Sequence, residues 1–589
     1  MTDYTPSPDL QARSPGAVAS GVPSWRFLAP AWRGVALALT VVTALFCAGV
    51  ITGLGATYAR RSERRILDQE RLNALKAQLA KNPADEQLTA AVRDEDVRLR
   101  RRYFADRVVF QRGAYLLLAG GIAVVLSAKW FVSFNPRGPR GVRRADLLDR
   151  PPAAAVARRS LAGLGGILAL MTAGLVAVIL FPVDPLRPPA TGTWPRFRGP
   201  AGLGLVAQGD WPLEWDAATG KNILWKCPIP GKGKSSPIVS GYRVFITSAD
   251  MEGQILYVVC VDRTTGRILW TKDFKPDFSK WTQQGRDDFH VSGDTGWAAA
   301  TPATDGRYVF AAFATADVAC LDLAGKVLWR RNLGAPESMY GMASSLLVHE
   351  GMLLWQVDQG SDAEEGLSAL LALDANTGQD LWRADRPVGN SWSTPILVKV
   401  GKYLELVTAA NPWVIAYDPS TGLELWRANV LGGDVAPSPV FADGVVFVSN
   451  DGAKAAAIRA GGSGDVSETD VLWTSEEGMP DIASPLCDGK RLLQATGGGR
   501  VTCLDAATGK MIWEHEFTCG FKASPTLVGN LVYLPGDDGE TYIFELADTF
   551  ALRTAAHLGE PIDATPAFVE SRIYIRGEKH LFSIGERPK

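Results

Sequence analysis

Short stretches in which apolar and polar residues alternate recur through the last two thirds of the chain: YRVFIT at 242–247, RYVFAAF at 307–313, GVVFVSN at 444–450. A period of two puts successive side chains on opposite faces of a sheet, so these read as half-buried β-strands. Two punctuation marks recur with them. One is a strand-opening Ser/Thr-Pro, at Ser236-Pro237, Thr301-Pro302, Thr394-Pro395, Ser438-Pro439, Ser484-Pro485, Ser524-Pro525 and Thr565-Pro566; Ser344-Ser345-Leu346 stands where an eighth is due, without its proline. The other is a strand Trp, at Trp225, Trp270, Trp329, Trp382, Trp426, Trp473 and Trp513, spaced 45, 59, 53, 44, 47 and 40 residues apart. Repeats of this length, with about four strands each, predict the blades of a β-propeller.

The two marks run out of phase. The seventh unit has its outer strand but no Trp, the missing residue falling near 549–558, and after Pro566 the chain has room for three strands only. At the other end, 222–227 supplies a Trp strand with no start before it. The first Trp strand is therefore expected to complete the last blade, which closes the ring at eight blades.

Between strands, LDAATGKMIW at 504–513 has close copies at Asp262, Asp374 and Asp418. Asp505 is placed to accept backbone N–H groups of the turn, Gly509 to supply a positive φ, and Trp513 to be buried between neighbouring sheets. Asp262, Asp374, Asp418, Asp505 and the seven Trp are thus read as structure, not chemistry. Variants are visible: 322–329 is one turn residue short, and GGSGD at 461–465 is inserted before Trp473.

The front of the chain is different. Residues 35–56 and 161–181 are 22 and 21 residues without a charge, and 113–132 is interrupted only by Lys129. About 20 apolar residues cross a bilayer core, so three transmembrane helices are expected. A tail at 1–34 is read as disordered, 58–112 as a charged helical hairpin, 182–193 as a Pro-rich linker, and 194–589 as the propeller. Residues 1–190 hold 26 Lys+Arg against 14 Asp+Glu, a net of +12, which leaves −14 for the rest of a chain whose formal charge is −2. The loop 133–160 carries seven Arg and two Asp and is expected in the cytoplasm, although 58–112 is also rich in Arg. The third span then places the propeller on the extracytoplasmic side of the inner membrane. An acidic ring is a poor partner for nucleic acid.

The D-x-x-T-G-x-x-x-W pattern, together with WPRFRGPAGLG at 194–204, resembles the repeat of the PQQ-like (pyrroloquinoline quinone) β-propellers. These include quinoprotein alcohol dehydrogenases and BamB-like scaffolds. The resemblance implies an envelope location and a choice between two roles. Family enzymes stack the quinone on a Trp and an adjacent Cys-Cys disulfide, beside a Ca²⁺ and an Asp base. The seven Cys of this chain include no Cys-Cys and no CxxCH. Cys260, Cys320 and Cys503 hold one repeat position and are read as buried thiols. The expected role is accordingly a binding scaffold without cofactor or metal. The alternatives are a quinoprotein (PQQ and Ca²⁺) oxidoreductase with a degenerate site, and an envelope sensor.

A protein or peptide partner is expected at the mouth of the ring, on the loops entering the innermost strands: Lys234, Trp297, Tyr340, Asn390, Trp392, Asp434, Asp481, Lys522 and Asp563. The longest excursion, 275–296, contains Trp281, Asp287, Asp288 and His290. Its Asp-Asp-x-His is read as a solvated loop, not a metal site.

Overall fold

The computed structural model describes residues 37–44, 46–52, 120, 123, 125–127 and 192–586. The chain divides into two units, Met1–Val183 and Asp184–Lys589. In the first, 37–44 and 46–52 are helical. Among the described residues no helix is long and apolar enough to cross a membrane, so the three expected spans gain no support here. Residues 53–56, most of 113–132 and all of 161–181 lie outside the described residues, as do the tail 1–34, the hairpin 58–112 and residues 182–191 of the linker.

The second unit is the ring, built of eight sheets of four or five strands. Blade 1 is Ile238–Ser240, Arg243–Asp250, Ile255–Asp262 and Ile268–Phe274, an antiparallel meander from the axis outward. Blades 2 to 7 repeat it, with innermost strands at Ala303–Thr304, Leu347–His349, Ile396–Val400, Val440–Ala442, Leu486–Cys487 and Thr526–Val528. Blade 8 takes Ala567–Val569, Arg572–Arg576 and His580–Ile584 from the end of the chain and its outer strand, Ile223–Pro228, from before blade 1. The register runs from Ile223 opposite Ile584 to Pro228 opposite His580. The predicted closure is the observed one.

The repeated marks acquire distinct jobs. Six of the seven outer-strand Trp reach the turn of the following blade. Trp225, Trp270, Trp329, Trp382, Trp473 and Trp513 donate their indole N–H to carbonyls of Arg263, Leu323, Ala375, Pro419, Ala506 and Ala547, at 2.9–3.2 Å. The turn residue beneath the ring must be Gly: a Cβ on Gly422 would sit 2.4 Å from Trp382 Cε3. The Asp holds that turn in shape. Asp505 Oδ1 accepts Thr508 N at 2.8 Å and Thr508 Oγ1 at 2.7 Å. Thus the motif's Asp and Gly on one blade and the Trp of the previous blade form one joint.

Three joints depart from the rule; where the other turns have Gly, that of blade 7 sets Phe550 against Trp513, ring centroids 5.3 Å apart. Trp426 is fully buried and donates to Glu405 Oε2 at 2.8 Å. The GGSGD insertion explains this: Gly464–Asp465 adds a parallel strand outside Trp426–Arg427, covering the edge. In blade 7 Thr554 occupies the Trp position, opposite Ile543 before the register shift. Gly220 of the following turn accordingly has open space above it. Backbone bonds replace the indole, with His557 N donating to Trp215 O and Ala217 N to His557 O.

The strand-opening Ser/Thr forms a girdle around the axis. Ser236 N donates to Thr301 Oγ1, and the pattern continues through Ser345, Thr394, Ser438, Ser484, Ser524 and Thr565, seven bonds of 2.9–3.0 Å. Ser345 thus fills the proline-less start. At the seam between blades 8 and 1, buried Arg576 binds Ser235 Oγ and Thr247 O at 2.7 and 2.6 Å.

The lead-in 194–206 crosses the channel. Thr193–Trp194 pairs with blade 1, and Pro195 O accepts Thr304 N of blade 2. Arg196 lies beside blade 3, Leu203 packs on blades 4 to 6, and Arg198 Nη2 donates to Pro485 O at 2.7 Å. Leu205–Val206 pairs parallel with the innermost strand of blade 7, and Trp194 meets Phe568 of blade 8. One segment touches every blade and turns a channel into a cup.

Candidate functional site

A propeller blade has two ends. The Asp-x-x-Thr-Gly turns join the third and fourth strands at one end. The interblade loops and the hairpins between second and third strands lie at the other, and there the axis opens into a cavity of about 810 Å³. Seven girdle hydroxyls line it, together with Phe197 of the lead-in.

Two positions before each girdle residue stand, in blade order, Lys234, Ala299, Ala343, Trp392, Ala436, Ile482, Lys522 and Asp563. All eight line the cavity. This tier is polarised. Blades 7, 8 and 1 present Lys522, Asp563 and Lys234, with Lys234 Nζ on Asp563 Oδ2. Blades 2 to 6 present only apolar side chains. Among the described residues Lys522 has no ion-pair partner. Tyr340 stands beside Trp392 with ring centroids 4.8 Å apart at 89°. The Trp392 indole N–H is held by Ser338 Oγ at 3.0 Å, which fixes the ring and leaves its surface for contact. Asp294, Asp434, Asp451 and Asp481 complete the lining on blades 2, 5 and 6. The cup holds five carboxylates and two ammonium groups.

Of the nine residues expected at the mouth, Lys234, Tyr340, Trp392, Asp434, Asp481, Lys522 and Asp563 line the cup. Trp297 and Asn390 do not. Trp297 is 9% exposed and packs in the core against Phe289, because burying an indole outweighs exposing it. Asn390 donates its backbone N–H to Gly360 O at 2.9 Å, in the interblade loop and away from the cavity.

Asp294, Asp451 and Phe197 were missed by sequence reasoning. Asp451 belongs to a second-to-third-strand hairpin, and the Asn-Asp-Gly at 450–452 marks such a turn. Asp294 comes from the long excursion. There Phe278–Lys280 and Gln283–Asp287 form two short helical turns, anchored by Trp281, whose indole N–H donates to Asn332 Oδ1 at 3.0 Å. Asp287, Asp288 and His290 are exposed.

A deeper polar cluster was also unforeseen. Arg386 and Asp358 are fully buried between blades 3 and 4. Arg386 Nε and Nη2 reach the two oxygens of Asp358 at 2.7 and 3.2 Å, and Nη1 reaches Thr408 Oγ1 and Tyr417 Oη at 2.6 and 3.1 Å. Ser391 Oγ and Gln356 Nε2 also donate to Asp358. This closed network fixes the loop that carries Trp392. The cysteines of the described residues are free; burial pushes the thiols of Cys260, Cys320 and Cys503 up to about 12.

Among the described residues no three His, Cys, Asp or Glu are grouped to hold one metal ion. A tricarboxylate in the cup would face five aspartates, with one of the two lysines already paired. The chain also has no adjacent Cys pair.

The family described as outer membrane protein assembly factor BamB matches residues 255–399, 366–481 and 462–551, together half of the chain. No curated protein matches the chain. Among solved structures, BamB from Moraxella catarrhalis is similar at 14% identity over 62% of this chain and 98% of its own, with a TM-score of 0.44. Quinohemoprotein alcohol dehydrogenase from Comamonas testosteroni is similar at 14% identity, covering 69% and 83%, with a TM-score of 0.48. By the family match, and with eight blades of which five joints carry the Asp/Gly/Trp motif, the chain belongs to the BamB family of PQQ-like β-propellers.

Proposed function

We propose that this protein is a binding scaffold of the cell envelope, anchored in the inner membrane by its N-terminal region, whose propeller faces the extracytoplasmic side and takes a protein or peptide partner in its cup. The observation that carries this is the convergence of seven mouth residues from seven blades on one cavity of about 810 Å³, with a fixed aromatic pair in its wall. Rigid aromatics flanked by charges are the usual anchors of an interface. The family description, an assembly factor, supports the scaffold role. The uncharged stretches 35–56 and 161–181 and the arginines of 133–160 support the anchor and its orientation.

A photoreactive residue at Trp392 tests the reading in intact cells. Crosslinking to one dominant envelope protein supports it. Absence of any crosslink, or a cytoplasmic partner, overturns it. Alkaline extraction tests the anchor: the protein stays with the membrane pellet if 35–181 spans.

A further inference from the structure

The cup is graded along the axis as well as polarised across it. Its inner tier is cationic on one side: Lys522 is half-buried, has no ion-pair partner among the described residues, and belongs to blade 7. Directly next to this lysine in the register are Ser524 and Thr565, 2% and 3% exposed. Their oxygens accept the amides of Ser484 and Ser524. Among the described residues neither hydroxyl proton is donated to an acceptor. Two buried O–H donors and one ammonium thus line a single wall of the cavity, a set suited to a carboxylate. Next to Lys522 along the tier stands the apolar Ile482 of blade 6, and Trp392 stands on blade 4. The remaining carboxylates, Asp294, Asp434, Asp451 and Asp481, stand on blades 2, 5 and 6.

A small acid would find the lysine but would pass four aspartates with nothing to offer them. A ligand that satisfies all three regions carries a carboxylate, an apolar group next to it, and positive charge behind. We propose that the cup captures the carboxyl terminus of a peptide chain, with the terminal carboxylate on Lys522, Ser524 and Thr565, an apolar last side chain against Trp392 and Ile482, and basic residues upstream among the aspartates. This rests on the scaffold reading above and names the ligand of that same cup. Terminal carboxylates are a recurrent handle for peptide recognition.

The test uses the full-length protein in detergent and a fluorescent hexapeptide with two arginines and a C-terminal leucine, as free acid and as amide. The free acid is expected to bind at least about tenfold tighter than the amide, the difference between a charge-assisted contact and none. Lys522→Gln should bring the two within about twofold with the melting curve unchanged, and Lys522→Arg should keep the preference. If Lys522→Gln alters the melting curve, the acid-to-amide ratio on the unmodified protein decides alone. Equal binding of acid and amide, or a tenfold preference surviving in a folded Lys522→Gln variant, overturns the proposal. A third arm separates the sources of a carboxylate. If 4-phenylbutyrate displaces the peptide with equal affinity, a free acid is the ligand and the chain terminus is not. If neither peptide binds but the Trp392 crosslinker captures a partner, terminus capture fails and the scaffold stands. If both fail, so does the scaffold.

Discussion

Trp225 lies opposite Ser583 in the antiparallel pair that closes blade 8, and its indole N–H reaches over the seam to Arg263 O at 3.0 Å in blade 1. One residue thus serves both the strand that shuts the ring and the joint that follows it. Trp225 is 8% exposed. Trp225→Ala is expected to cost about 3–5 kcal/mol, as for large aromatic truncations. Denaturant unfolding checks this. A loss below about 1 kcal/mol would mean that the ring holds without its seam.

The motif glycines separate backbone cost from packing cost. Gly422 and Gly220 have φ of +70° and +76°, but Gly422 faces Trp382 whereas Gly220 faces open space. Gly220→Ala should cost only the left-handed backbone term, roughly 1–2 kcal/mol. Gly422→Ala must also displace an indole and should cost about 1–3 kcal/mol more. Equal losses for the two variants, read from thermal melts, would contradict the joint described above.

Arg386 and Asp358 depend on each other. Arg386→Met removes a buried cation and leaves a buried carboxylate, at an expected cost of about 3–5 kcal/mol. Burial raises the Asp358 carboxyl, with Arg386 opposing. Without the arginine the folded pKa lies above the unfolded one. Sign follows from linkage: the variant should be most stable at low pH and lose stability as pH rises past about 4. Replacing both, Asp358→Leu with Arg386→Met, should recover most of the loss. Chemical unfolding at pH 4 and pH 7 measures both effects.

His349, at the end of the innermost strand of blade 3, is held down to about 4 by burial and by the charge of Arg196 in the lead-in. Its ordinary value is 6.5. Between those values the unfolded chain binds the proton and the folded one does not, so stability falls as pH drops from 6.5 towards 4. The full loss is roughly 3 kcal/mol. His349→Gln should flatten that part of the pH–stability curve. An unchanged slope would place the acid sensitivity elsewhere.

What the chain states locally, it states repeatedly. Alternation gave the strands, the Asp/Gly/Trp turn gave the blade period, and the phase difference between Trp225 and Pro566 gave the closure and the count of eight. These are legible because each depends on neighbours within one unit or on simple counting. Seven of the cup residues were legible for the same reason, since the Ser/Thr-Pro mark fixes where each innermost strand begins. Tertiary structure decided the rest. Only packing shows that Trp297 is needed inside the core, that Asn390 faces a neighbouring loop, and that Thr554 stands in for a Trp because 215–217 supplies backbone bonds there. The Asp358–Arg386 network joins residues from two blades, and the lead-in closes the channel by touching all eight. No local pattern encodes such contacts, because their partners are brought together only when the ring shuts.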